Sequence, residues 1–306
     1  MKRTLLLALA LAAGVPGYGA DAPQPPNRFA ATIVPAERFE VGAMLVERHG
    51  QRGRPLVLIP GLGSGSWVWQ DMVRELSAEH VVYVVTLPGF DGRPAVAGNT
   101  IDAARSALAQ LLSSRRLDKP VVVGHSLGGA LALALAEDHP DLVGGVVTLD
   151  GLPVFPRTEQ VPPEQRRQMA DGMKAMVPAG PAFEAQQQQY MRGTGVLDMG
   201  KADDLARLSS RSDPAAVAQY MADLVALDLR PGLGKIKAPV LLVSPYYEPD
   251  MSQFGMTAQA KAEYYKGLMA GTPKLEVVTL APARHFVMFD QPRQLADTIR
   301  RFVKSL

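Results

Sequence analysis

Cysteine is absent from all 306 residues, which excludes disulfides, thiolate nucleophiles and cysteine-ligated metals. An excess of one charge is also missing, since 32 Lys and Arg stand against 30 Asp and Glu. Two of the cations, Lys2 and Arg3, fall in what reads as a removable leader, and without residues 1–20 the formal charge is zero. A neutral chain has no overall field to draw it to nucleic acid or to an anionic membrane surface, so neither partner is expected. Histidine is scarce, at five scattered positions. With no cysteine beside them these give no metal-ligand spacing, and neither a metal nor a cofactor is expected. No apolar run approaches the ~20 residues that span a bilayer, so stable membrane insertion is not expected. What remains is an ordinary globular mixture, 47% hydrophobic and 20% charged. That is enough to build one large α/β domain or two modest ones.

The first residues order themselves as charge, then hydrophobe, then small residues. Lys2 and Arg3 precede the apolar run Leu5 to Ala13; Gly14 and Pro16 end it; Gly17, Gly19, Ala20 and Ala22 offer cleavage sites. This order predicts a signal peptide over residues 1–20, cleaved near 19–22, and export to the periplasm or beyond. Gln24-Pro25-Pro26 then opens an extended linker over residues 21–38.

From Phe39 onward, short β-rich runs alternate with helical spacing. Strands are predicted at Ala43–Val46, Leu56–Ile59, Val81–Thr86, Pro120–Val123, Leu142–Leu149, Val240–Ser244 and Leu275–Leu280. Helices are predicted at Trp67–Ser77, Ile101–Leu112, Leu127–Ala136 and Gln291–Lys304. The alternation argues for an α/β fold with a mostly parallel sheet and helices on both faces. Between Leu149 and Val240 no strand pattern occurs for about ninety residues, too long for a plain connection. Helical patterns at Pro163–Met176, Ala182–Met191, Ala202–Leu208 and Pro214–Leu227 make that stretch, residues 151–234, an inserted helical cap on a core of 39–150 and 235–306. Met169, Met173 and Met176 share one helix face there. Their plainer reading is the core of the insertion; the alternative is a substrate-facing surface.

The chemistry centres on Gly124-His125-Ser126-Leu127-Gly128, a G-x-S-x-G pattern. The run Val121-Val122-Val123 feeds straight into it and an alanine/leucine-rich helix leaves it. Such a tight strand-to-helix turn holds a serine in a strained conformation with its hydroxyl exposed above the sheet, beside the positive end of the helix.

With these residues the sequence resembles the α/β-hydrolase superfamily over nearly all of residues 40–306. The resemblance also rests on Ile59-Pro60-Gly61-Leu62-Gly63, on Leu87-Pro88-Gly89-Phe90-Asp91-Gly92, and on His285 ahead of a final helix. It implies an α/β-hydrolase fold with Ser126 as nucleophile and the insertion after Leu149 as its cap. Pro60-Gly61 departs from the His-Gly pair common in the family. The resemblance further implies an oxyanion hole from the backbone N–H groups of Leu127 and of Leu62. Trp67 and Trp69 lie just beyond, one read as core and the other as pocket lining.

Ser126 needs a base to take its proton. Of the five histidines, His49 lies in an early hairpin-like region, His80 precedes a strand, and His139 caps a loop at the far side of the sheet. His125 points the other way around the turn and reads as a satisfied buried histidine. His285 follows the last predicted strand, at the same sheet end as Ser126, where chemistry collects in open α/β sheets. The acid that orients it stays open. The family pattern favours Glu248 in Pro245-Tyr246-Tyr247-Glu248-Pro249-Asp250; Asp150, ending the strand before the cap, comes next, and Asp250 third.

These features predict a secreted serine hydrolase cleaving a carboxylic ester or related acyl compound, with a small-molecule substrate of short to medium acyl chain. Serine rather than aspartate at the elbow argues against epoxide hydrolase and dehalogenase chemistry. A carbon–carbon bond hydrolase, an acyltransferase and a small-peptide peptidase would use the same triad. A non-catalytic binding protein of the same fold is the reading from another class, and intact Ser126 and His285 weigh against it. Oligomeric state is not legible in the sequence.

Overall fold

The computed structural model describes residues 27–98 and 100–306; the expected leader and the start of the linker lie outside them. Eight strands form one sheet: β1 Glu37–Val41, β2 Met44–His49, β3 Pro55–Ile59, β4 Val81–Thr86, β5 Val121–His125, β6 Gly145–Leu149, β7 Val240–Pro245 and β8 Leu275–Leu280. Their order is β1-β2-β4-β3-β5-β6-β7-β8. The hairpin β1–β2 turns at Gly42 and joins β4 antiparallel, while the six strands from β4 to β8 run parallel. β1 was not predicted, because Glu-Arg-Phe-Glu-Val is a charged edge strand with a single buried residue. Leu142–Leu149 shortens to β6, and Ala43–Val46 extends to His49.

The apolar runs alternate sides as strand geometry requires. Leu56 and Leu58 of β3 and Val121 and Val123 of β5 face one way. There they meet α1 Gln70–Leu76, and later α10 Val287–Asp290 and α11 Pro292–Lys304. Val57, Ile59 and Val122 face the other way, against α2 Ile101–Ser114 and α3 Leu127–Asp138. The fit is clear in α11, where Leu295, Ala296, Ile299, Phe302 and Val303 make one buried stripe behind Pro292 in the first turn.

Between β6 and β7 stand α4 Pro163–Ala175, α5 Pro181–Tyr190, a π-helical turn Met191–Gly195, α6 Met199–Ser209 and α7 Pro214–Ala226. The Asp198 and Asp213 carboxylates accept backbone N–H bonds at the starts of α6 and α7, satisfying donors that a helix N-terminus leaves free. These helices cover the carboxyl end of the sheet, and their α6–α7 junction is tied to the loops below. Ser209 and Ser212 Oγ donate to Gly63 O at 3.2 and 2.9 Å, and Asp213 N donates to Gly89 O at 2.7 Å. After β7 come α8 Glu248–Met251 and α9 Ala258–Leu268, neither foreseen in the sequence. Among the described residues no helix is long and apolar enough to cross a membrane.

Candidate active site

Ser126 stands between β5 and α3 with φ 54° and ψ −118°, a conformation that costs a non-glycine residue about 1–3 kcal/mol. The surrounding backbone is too close for side chains. A Cβ on Gly124 would sit 2.0 Å from Gly128 O, and one on Gly128 would sit 2.2 Å from Ile59 O. The turn is pinned by Ser126 N donating to Leu149 O at 2.9 Å, and by Ser126 O accepting from Gly129 N and Ala130 N at 2.9 and 3.1 Å. The strain is therefore held by both neighbouring strands.

His285 lies between β8 and α10. Its Nδ1 meets Asp150 Oδ2 at 2.6 Å. Asp150 follows β6 directly, at φ 49°, with its N–H bonded to Val243 O at 3.0 Å. Of the three acids weighed, the structure brings Asp150 to the imidazole. Glu248, favoured by the family pattern, begins α8 and is exposed. Asp250 holds Arg284 through two bonds of 2.7 and 2.8 Å. The reason is local: β7 runs into α8, which turns its acids to solvent and to Arg284, while the left-handed residue at the end of β6 bends Asp150 under the ring.

Asp150 is also held from behind. Tyr265 Oη donates to Oδ1 at 2.6 Å, and Lys261 Nζ lies 3.7 Å from the same oxygen. Burial works to raise the Asp150 pKa, but the Lys261 charge and the hydrogen bonds from His285 and Tyr265 outweigh it and hold the carboxyl well below its usual range. Tyr265 is pushed the other way, by burial and then by the Asp150 charge, and stays a neutral donor. Neither α9 residue was singled out in the sequence. The signal was the Thr257 cap ahead of Ala-Gln-Ala-Lys-Ala-Glu, which carries Lys261 and Tyr265 four apart on one face.

His125 is buried as expected, but only half satisfied. Its Nε2 pairs with His285 O at 3.0 Å, so that nitrogen carries the proton, while Nδ1 has no hydrogen-bond partner. Burial, then the nearby His285, pushes its pKa well down, and the ring is neutral. His49 ends β2, buried; His80 precedes β4; His139 follows α3. None of these three lines the site. Trp67 and Trp69 are both core, contrary to the reading of one as pocket lining. Trp67 stacks on Phe286, next to the catalytic candidate His285, with ring centroids 6.4 Å apart.

Ser126, His285 and Asp150 line one cavity of about 580 Å³. Leu62 lines it too, and Gly61 packs so close that a Cβ there would be 3.2 Å from Ser126 Cβ. Leu127 opens α3, where its N–H has no partner within the helix. Above the serine the walls are apolar, with Met173, Met176 and Val177 from the α4 end and Val217, Met221 and Leu224 from α7. Met173 borders the cavity while packing on the small core that Ala170, Ala222 and Val225 make between α4 and α7, so it serves both readings; Met176 borders the cavity, and Met169 is exposed. Gln186, Gln187 and Tyr190 of α5 add a polar side, and the acidic and imidazole side chains in the lining are Asp150, His125 and His285.

The sheet, the strained serine turn and the His–Asp pair define a class. Residues 56–298 match the model of the alpha/beta hydrolase family, and the chain belongs to that family. It is 28% identical over 264 residues to the pimeloyl-[acyl-carrier protein] methyl ester esterase of Aeromonas hydrophila, covering 84% of this chain and 98% of that protein. It is 29% identical over 262 residues to the biotin biosynthesis bifunctional protein BioHC of Cellvibrio japonicus. That match takes in 82% of this chain but 48% of the relative, so the chain spans about half its length. Among solved structures, a thermophilic esterase from Thermogutta terrifontis aligns with a TM-score of 0.68 at 21% identity, over 88% of this chain and 99% of that one, a likeness of fold.

Proposed function

We propose that this hydrolase is an exported serine esterase that cleaves a carboxylic ester of an uncharged, mainly apolar acyl compound. The observation that carries the reading is the 2.6 Å contact between His285 Nδ1 and Asp150 Oδ2 beside a cavity shared with the strained Ser126. With Nδ1 committed to Asp150, Nε2 is the nitrogen left to take the Ser126 proton. Ser126 Oγ attacks the ester carbonyl, and the backbone N–H groups of Leu62 and Leu127 receive the oxyanion. His285 returns the proton to the departing alcohol, leaving an acyl-serine. It then deprotonates a water that releases the acid. Asp150 keeps the imidazole in the required tautomer throughout. The Aeromonas relative is a methyl ester esterase, and the apolar walls suit an acyl chain.

Purified protein should be labelled by a fluorophosphonate and should hydrolyse p-nitrophenyl butanoate, and Ser126→Ala should abolish both. A folded wild-type protein that does neither sinks the esterase reading and favours a binding role. Export belongs to the same proposal and rests on Lys2, Arg3 and the Leu5–Ala13 run. Cell fractionation with N-terminal sequencing tests it, and an uncleaved cytosolic product overturns it.

A further inference from the structure

Asp150 is buried and ends a strand in the middle of the sheet's active end, so its charge needs partners other than water. Two side chains one helical turn apart on α9 supply them. Tyr265 Oη donates to Oδ1 at 2.6 Å, which leaves Oδ2 to His285. Lys261 Nζ lies 3.7 Å from Oδ1, with both side chains only 12% exposed. The ammonium is itself fixed, donating to Pro245 O at 2.6 Å and lying 5.0 Å from the centre of the Tyr265 ring. Neither residue makes or breaks a bond in the hydrolysis described above. Each bears on the atom that orients the base.

We propose that Lys261 and Tyr265 are positioning residues for this site. Tyr265 fixes the rotation of the Asp150 carboxylate so that Oδ2 meets His285 Nδ1, and Lys261 partly neutralises that carboxylate and so sets the proton affinity of His285. The inference rests on the esterase reading of the same site. The groups that face the Asp150–His285 pair are Lys261 and Tyr265 from α9, Tyr190 from α5 and His125 from the end of β5. Arg284, next in the chain, is committed to Asp250 and to the carbonyls of Arg192 and Val196. With His125 neutral, Lys261 is the cation that acts on Asp150. Without it, the bare carboxylate favours the imidazolium, and the base needs a higher pH to lose its proton.

The test uses the full chain as wild type, Ser126→Ala, Lys261→Met, Lys261→Arg and Tyr265→Phe, with p-nitrophenyl butanoate across about pH 5 to 9. In Lys261→Met the ascending acid limb of kcat/KM should move up by about half to one pH unit, and Lys261→Arg should bring it back. Tyr265→Phe should lower kcat by about tenfold and slow fluorophosphonate labelling in step. If Lys261→Met does not fold, Tyr265→Phe, which removes a single oxygen, carries the test. An unmoved limb in folded Lys261→Met removes the role of Lys261, and an unchanged kcat in Tyr265→Phe removes that of Tyr265. Both results would leave Ser126-dependent hydrolysis standing in the wild type. A wild type without that hydrolysis fails the esterase reading instead, so the two failures are distinguishable.

Discussion

At the scale of residues, the acid is the sharpest point to probe. Asp150 sits at φ 49°, a region that Asn tolerates as readily as Asp, so Asp150→Asn keeps the backbone and changes only the chemistry. The amide cannot hold His285 in its working tautomer, and kcat should fall by about 10³–10⁴. Glu248→Gln, an exposed change at the start of α8, should stay within about twofold of wild type. Steady-state kinetics on the two variants decide the matter, and the reverse pattern would return the role to Glu248. Ser126 and His285 could be picked from the sequence because each is marked locally, by a glycine-framed turn and by the strand ahead of it. The acid is marked by nothing local. Asp150 becomes the partner through a left-handed backbone step and through Tyr265, 115 positions downstream, and no window of sequence contains both.

At the scale of elements, period and start signals together revealed β3 to β8, the cap helices and the last helix: β3 to β7 bury nearly every residue, α11 buries a clear stripe, and α4, α5 and α7 open on a proline. They failed at β1, a charged edge strand, and at α9, where only Tyr265 and Leu268 are buried and the rest of the pattern is weak. The failure at α9 hid both residues that stand behind the acid. The α4 and α7 walls carry a prediction of their own. With Met173, Val217, Met221 and Leu224 enclosing much of about 580 Å³, the chamber has the size of a typical small-ligand site. Across p-nitrophenyl esters, kcat/KM should peak at acyl chains of about four to eight carbons and then fall, since longer chains outrun the chamber. Fastest turnover on long-chain emulsions would show that the walls do not set the limit.

At the scale of the whole molecule, cap and sheet are joined through the loops of Gly63 and Gly89. Asp91, between the Gly89 turn and Arg211 of the α6–α7 junction, feels this most. Burial lifts its pKa to about 6, against the partial pull of Arg211. The folded state therefore holds this proton more tightly than the unfolded chain. The site favours folding once the pH is below about 4, and that help is lost as the pH rises through about 6. Asp91 also has a left-handed φ of 50°, which Asn accepts. Asp91→Asn should stabilise the protein by about 1–3 kcal/mol at neutral pH and by much less near pH 4. Thermal melts at the two pH values test this, and equal gains at both would refute the account.

The bonds from Ser209 and Ser212 to Gly63 O fasten the helical roof to the loop of Leu62, whose backbone amide is the proposed oxyanion donor. A swing of the entire roof would drag that amide out of register. Met176, just past the end of α4, is 75% exposed while still bordering the chamber. In a chain without a single thiol, a cysteine put in place of Met176 would be one uniquely addressable handle at the rim of the chamber.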